Sequence, residues 1–67
     1  MLIQLNGEPR EVEDNLTLTG LINSLNLRPE QIAIELNQHV VRRVHWAETT
    51  LGPDDRIEIV HFVGGGA

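Results

Sequence analysis

The chain has 67 residues, a net charge of −5 and no cysteine, which together indicate one small domain and exclude disulfides, thiolate metal sites and a cysteine nucleophile. All five basic residues are arginines, so chemistry that needs a lysine amine is excluded, and the acidic balance disfavours nucleic acid as a partner. No apolar run is long enough to span a membrane, and a strand pattern rather than a signal peptide follows Met1, so we expect a monomeric cytoplasmic protein.

The opening segment predicts a β-hairpin. Ile3 and Leu5 alternate with polar neighbours, as in a strand with one buried face. Asn6-Gly7 is the strongest two-residue signal for a type I′ hairpin turn. Because Pro9 cannot donate a ladder hydrogen bond, the returning strand is expected at a sheet edge.

A helix is predicted next. Its apolar residues recur at i, i+3, i+4 and i+7 and form one stripe, made of Leu18, Leu21, Ile22 and Leu25. Thr17 is the expected N-cap, and Pro29 marks the loop that follows. Gly20 and Asn23 are poor helix formers, so tertiary packing must stabilise this helix.

Three strands complete the predicted order β-β-α-β-β-β. The first of them alternates Ile32, Ile34 and Leu36, and a turn at Asn37-Gln38 leads into the short strand "HVVRRV". "HWAETTLGPDDR" is expected to be mostly loop before the last strand, "RIEIVHFV". The pattern predicts an α+β fold of the β-grasp type, with a mixed sheet of four to five strands packed on one helix and the first and last strands paired at its centre.

The last strand has apolar residues at both odd and even positions, and therefore on both faces of the sheet. Near the start of the strand, one set should face the helix. It consists of Ile57, Ile59, His61 and Val63. Val60 and Phe62 then lie on the open face of the sheet, with Leu2 as a candidate neighbour on the first strand. Apolar residues that cluster on a surface suggest a contact with another protein, but loops or the tail could equally cover them.

Residues 64–67 form a tail after a single domain that is predicted to span residues 1–63. Glycine costs the most backbone entropy to order and has no side chain to pack, so Gly64, Gly65 and Gly66 are expected to be flexible. Such a tail is either a frayed terminus or an arm that enters a narrow channel of a second protein and presents a carboxylate there.

Four stretches together resemble one known family. They are "LNGE" at 5–8, "ELN" at 35–37, "VVRRVHWAET" at 40–49 and, most specifically, "GPDDRIEIVHFVGGG" at 52–66. Over residues 1–66 the chain resembles the sulfur-carrier proteins of bacterial thiamin (thiazole) biosynthesis, the ThiS family, in the ubiquitin-like β-grasp group.

The resemblance implies a protein cosubstrate rather than an enzyme. A ubiquitin-activating-like adenylyltransferase would use ATP to adenylate the terminal glycine, a sulfur-transfer enzyme would help convert it to a thiocarboxylate, and thiazole synthase would take the sulfur. Gly65 and Gly66 match the family's terminal pair, Gly66 would be the modified residue and Gly64 would extend the arm. Val60 and Phe62 would belong to the docking face. No catalytic residue and no bound cofactor are implied, because ATP belongs to the partner.

Ala67 departs from the family pattern, since it places an alanine after the expected terminal glycine. Three explanations fit: a peptidase removes Ala67, the activating partner accepts alanine, or Ala67 comes from the expression vector. We favour removal.

The remaining candidate residues have structural interpretations. The three histidines, His39, His45 and His61, lack metal-ligand spacing, so we expect them at surface or half-buried positions and not in a metal site. Trp46 is expected to pack in the core or a loop with its N–H bonded to a backbone carbonyl. Arg42-Arg43 fits a solvated strand edge better than contact with a partner's acidic patch.

Two other functions remain open. The small subunit of molybdopterin synthase shares this fold and a Gly-Gly end, and a plain β-grasp interaction module would have a tail without a role. Ala67 favours the interaction module, and deletion of Gly65–Ala67 would distinguish such a module from a carrier. An enzyme is the least favoured class, because so short a chain has little room for a core and a deep active site.

Overall fold

The computed structural model describes residues 1–62, which form a five-stranded mixed sheet packed on one helix. In chain order the elements are β1 (Leu2–Leu5), β2 (Glu8–Glu11), α1 (Leu18–Ser24), β3 (Ile32–Leu36), β4 (His39–Val41) and β5 (Arg56–His61). Two 3₁₀ segments, Pro29–Gln31 and Arg43–Glu48, precede β3 and follow β4. The strand order is β2-β1-β5-β3-β4, which is the predicted β-grasp architecture. Within this part of the chain, no helix is long and apolar enough to cross a membrane.

The first and last strands pair at the centre of the sheet, as predicted. β1 and β5 run parallel, with Gln4 opposite Arg56 and Leu5 opposite Ile57. On its other side, β5 is antiparallel to β3 along the whole length of that strand. The strand that leads toward the C-terminal tail is therefore hydrogen-bonded on both sides.

Both hairpins use two-residue turns with positive φ angles. Asn6 and Gly7 have φ values of 50° and 83°, and Asn37 and Gln38 have φ values of 52° and 71°. Positive φ at both central positions is the requirement of a type I′ turn. The first turn returns the chain as β2, and Pro9 lies on this edge strand as predicted.

Side chains and backbone groups cap α1 at both ends. The Gly20 N–H donates to Thr17 Oγ1 at 3.1 Å, which confirms the predicted N-cap. At the other end Asn26 has a φ of 57°, and the Leu27 N–H donates to the Ile22 carbonyl at 3.2 Å. This 6→1 bond is that of a Schellman motif, and it stops the helix before the predicted apolar stripe is complete.

The core lies between α1 and one face of the sheet. Its buried side chains are Ile3, Leu18, Leu21, Ile22, Ile32, Ile34, Trp46, Leu51 and Ile57. Complete burial of one such aliphatic side chain contributes about 1.5–3 kcal/mol relative to exposure. This packing explains how a seven-residue helix with a central glycine persists.

The segment after β4 differs from the sequence prediction. β4 ends at Val41 instead of continuing through "RRV", and Arg43–Glu48 forms a 3₁₀ helix where loop was expected. The turn buries Trp46, whose Nε1–H donates to the Val41 carbonyl at 2.8 Å. The predicted role of Trp46 is confirmed, and its burial explains why the segment coils back onto the core rather than extending as a strand.

Candidate functional site

The end of β5 is the candidate site, because the glycine tail follows it in the sequence. The Phe62 N–H donates to the Gln31 carbonyl at 2.9 Å, and the Ile59 N–H donates to the Asn6 side-chain oxygen at 2.7 Å. The backbone is thus fixed up to Phe62. The domain boundary predicted at residue 63 and the tail residues Gly64, Gly65, Gly66 and Ala67 lie outside the described residues.

Val60 and Phe62 lie on the open face of the sheet, as their parity predicts. They are 55% and 51% exposed, whereas Ile57, of the opposite parity, is 1% exposed. His61 has the parity of Ile57 and lies opposite the buried Ile32, yet it is exposed, so this set is covered by the helix only near its start, as expected. A helix of seven residues is only about 10 Å long, and it does not cover both ends of β5.

Leu2 is exposed but is not a neighbour of Val60 and Phe62, so that part of the prediction is wrong. The Asp54 N–H donates to the Leu2 carbonyl at 2.8 Å, which places Leu2 beside the start of β5. Val60 is six positions further along, or roughly 20 Å at the rise of a strand. The error arises because the sequence suggested that β1 and β5 pair but did not give their relative direction.

The cross-strand neighbour of Val60 is on β3, and a further exposed apolar residue of this face is on β4. Ala33 lies directly opposite Val60, and Val40 on β4 is opposite Glu35, so it projects from the same face. Val40 is 70% exposed. The open face therefore carries an apolar patch, made of Ala33, Val40, Val60 and Phe62.

The sequence analysis missed Val40, although a signal was present. A two-residue turn at Asn37-Gln38 pairs Leu36 with His39, and this register alone assigns Val40 to the open face. The residue was read instead as part of a longer strand without a defined partner.

A shallow polar hollow occupies the rest of the open face. Its volume is about 810 Å³, and its lining includes Gln4, Glu35, Arg56 and Glu58. Glu35 and Glu58 are directly opposite each other on β3 and β5, and no ion pair within the described ranges neutralises them. Like charges in such a pair repel, and the lining contains no histidine, serine or threonine that would suggest a nucleophile and its base.

The histidines occupy separate surface positions. His39 lies on β4, His45 in the 3₁₀ helix and His61 at the end of β5, and all three are exposed. His45 Nδ1 is 3.8 Å from Glu48 Oε1, which is an exposed contact. No group of three potential metal ligands occurs among residues 1–62. The expected surface or half-buried location of the histidines is confirmed.

Together, the fold and the site define a small β-grasp protein that presents an apolar patch beside the start of a glycine tail. The family model that matches the chain is the one described as the ThiS family, over residues 3–66. The chain belongs to the ThiS family of sulfur carriers, as the resemblance implied.

Two relatives illustrate the family. A protein named thiazole synthase from Magnetococcus marinus is 48% identical over 66 residues, which are 98% of this chain and 20% of that protein. The sulfur carrier protein ThiS of Bacillus subtilis is 36% identical over 66 residues, which are 97% of this chain and 100% of that protein. The chain therefore spans about a fifth of the thiazole synthase and the full length of the Bacillus carrier.

A solved structure confirms the fold. The crystal structure of the thiamine biosynthesis protein ThiS from Geobacter metallireducens matches with a TM-score of 0.86 and 33% identity, covering 98% of this chain and 100% of that one. At this level of similarity the ubiquitin-like β-grasp assignment follows for the present chain.

Proposed function

We propose that this chain carries sulfur for the thiazole ring of thiamin, with Gly66 as the residue that bears it. The observation that carries the proposal is the extent of the family match, which includes Gly64 and Gly65, ends at Gly66 and leaves Ala67 outside. The names of the relatives support the same pathway, since they include thiazole synthase and sulfur carrier protein ThiS. They favour the thiazole carrier over the molybdopterin synthase subunit.

Activation of Gly66 requires a second protein, because a carboxylate anion is a poor electrophile. A ubiquitin-activating-like adenylyltransferase would bind ATP, and a Gly66 carboxylate oxygen would attack the α-phosphorus with release of pyrophosphate. The resulting acyl-adenylate has AMP as its leaving group. Glycine suits this step because it has no Cβ to crowd the carbonyl or the backbone in a narrow channel. The chain itself would bind no cofactor.

Sulfur then enters at the oxidation level of sulfide. A sulfur-transfer enzyme would supply it, the sulfur would attack the Gly66 carbonyl, and AMP would leave with the carboxylate oxygen, which yields a thiocarboxylate. At thiazole synthase the sulfur would attack an electrophilic carbon of that enzyme's substrate, and water would hydrolyse the resulting acyl–sulfur bond, which leaves the sulfur on the substrate and returns the carrier as a carboxylate. The match of this chain to about a fifth of two thiazole synthases supports that enzyme as the partner.

The structure supports a docking role for the end of β5. Val60 and Phe62 project apolar surface from a strand that is held on both sides, immediately before the tail. A partner that covers this patch would receive the tail in a fixed direction. Leu2 lies beside the start of β5 and outside the apolar patch. We place the free carrier in the cytoplasm as a monomer, where its adenylating partner has access to ATP.

The proposal requires Gly66 to be the last residue of the active form, so we further propose that a peptidase removes Ala67. Adenylation of the untrimmed chain by the purified activating enzyme tests this step. Efficient adenylyl transfer to protein that still ends in alanine would show that removal is unnecessary.

The decisive experiment is an intact mass measurement after co-expression with the activating enzyme and a sulfur source. The expected species has lost alanine and exchanged one oxygen for sulfur. A chain that ends at Gly64 is the matched control, and it should keep its fold but gain no sulfur. An unmodified mass for the full chain under the same conditions would exclude the carrier role. Retention of the cellular role by the truncated chain would instead indicate an interaction module.

A further inference from the structure

A second surface feature lies at the β4 edge of the sheet and continues from the apolar patch. It is a groove of about 330 Å³. Ile32 and Trp46, both buried, contribute to its floor, and Pro29 and Phe62 contribute to its walls. The groove is open along its length, so it suits a segment of another protein better than an enclosed small molecule.

The groove presents apolar atoms to water. Val40 and Phe62 line it and are among the most exposed large hydrophobic side chains of the described residues. Contiguous exposed apolar surface marks contact sites on small proteins. Because Phe62 belongs both to the groove and to the apolar patch, the two features form one continuous surface.

The charge of the groove is opposite to that of the whole chain. Arg42 and Arg43 both line it, and Glu30 is the one carboxylate in the lining. The ion pairs found in residues 1–62 involve the Met1 ammonium and His45, and neither arginine takes part in one. The net charge of the chain is −5, so this is a locally positive site on an acidic protein.

Two arginines that form no ion pair with residues 1–62 and lie beside an apolar groove favour one kind of occupant. The guanidinium group binds carboxylates through two parallel hydrogen bonds and is weakly hydrated, which suits it to interfaces. Arg42 and Arg43 are the only two adjacent basic residues of an acidic chain, so they favour the binding of a carboxylate-bearing segment at this place.

We propose that the groove binds an extended acidic segment of the adenylating enzyme. One apolar side chain of that segment lies between Pro29 and Phe62, and one carboxylate pairs with Arg42 or Arg43. This inference rests on the proposed function, because it assigns the occupant to the enzyme that activates Gly66. It adds a charged contact that orients the carrier, beyond the apolar patch.

The test compares charge reversals at and away from the groove. Arg42→Glu and Arg43→Glu change the net charge equally, and Arg10→Glu on β2, at the opposite edge of the sheet, is the matched control. All three side chains are exposed, so thermal melts should confirm that each variant folds. Titration calorimetry then measures the affinity of each chain for the purified adenylating enzyme at low and at high salt.

At least one groove variant should bind at least about tenfold more weakly, because it loses a charge-assisted hydrogen bond to the partner. Arg10→Glu should change the affinity less than about twofold, as expected of a charge outside the interface. The affinity of the unsubstituted chain should also fall more steeply with salt than that of the weaker groove variant.

Three results would overturn the groove proposal: equal affinities for all the chains, an equal loss in Arg10→Glu, or no binding of the unsubstituted chain. The intact mass of the carrier is measured on the same samples, to detect sulfur at Gly66. Sulfur incorporation without a specific effect of Arg42 or Arg43 would leave the carrier function in place and remove only the groove contact.

Discussion

The face of the sheet against α1 and the open face are built from the same five strands, yet they carry different kinds of residue. Along β5, Ile57 is buried in the core, whereas Val60 projects into solvent. Burial of the apolar side chains of the first face stabilises the folded protein. The second leaves apolar surface uncovered, and that surface is available for a partner. In a domain this small, the alternation of a single strand thus separates the residues that stabilise the fold from those that we propose for recognition.

The largest expected effect compares these two faces directly. Ile57→Ala should lower the free energy of unfolding by about 2–5 kcal/mol, because it removes buried methyl groups and leaves a cavity. Val60→Ala should change it by no more than about 0.5 kcal/mol, as at other surface sites. Urea unfolding followed by circular dichroism measures both. Similar losses in the two variants would show that the open face also contributes to the folded core.

The next effect concerns recognition rather than folding. Val60→Asp should lower the efficiency of adenylation by about tenfold, since docking would bury a carboxylate at an apolar contact. Val44→Asp is the matched control, because Val44 is also exposed but lies in the 3₁₀ helix outside the apolar patch. Initial rates with the activating enzyme at several carrier concentrations distinguish them. Equal inhibition by both variants would argue against a specific patch.

A smaller effect is expected at the polar part of the open face. Glu58→Lys replaces a repulsive cross-strand pair with Glu35 by an attractive one, and should raise the free energy of unfolding by about 0.2–1 kcal/mol. Glu13→Lys is the matched control, because it makes the same change of charge at a position outside the sheet. If the melting temperature rises equally in both variants, the gain in stability comes from the change in overall charge and not from the pair.

The smallest effect involves the Met1 ammonium at the rim of the sheet. Its hydrogen bond to Glu11, 2.9 Å away, and its contact with Asp14 raise the pKa of the amine above 8.0. The stabilisation is therefore fully present below the pKa of the unfolded chain and is lost as pH rises through the higher folded pKa. Melting temperatures from pH 7 to pH 10 should fall less in Glu11→Gln than in the unsubstituted chain. Parallel curves would show that this contact does not stabilise the fold.

Local signals in the sequence predicted much of this fold. Asn6-Gly7 indicated its turn because few residues adopt positive φ, and Thr17 indicated the helix start because its hydroxyl satisfies a free N–H. The strongly apolar first and last strands indicated a central pair. Each of these inferences depends on chemistry within a few residues or on overall hydrophobicity.

The remaining features depend on long-range geometry. The prediction for Leu2 failed because the direction of β1 relative to β5 is set by the whole chain path. The 3₁₀ helix was missed because burial of Trp46 against distant residues, rather than local propensity, determines that coil. The groove was missed for the same reason, since Pro29, Arg42 and Phe62 converge only in the folded protein.

The central position of β5 also has a mechanical consequence. A partner that draws the tail into a channel pulls along the axis of β5, and its hydrogen bonds to β1 and β3 lie across that axis. Such bonds are loaded together in shear, instead of opening one after another from an end. The domain is therefore expected to resist tension on its tail better than it would if β5 were an edge strand.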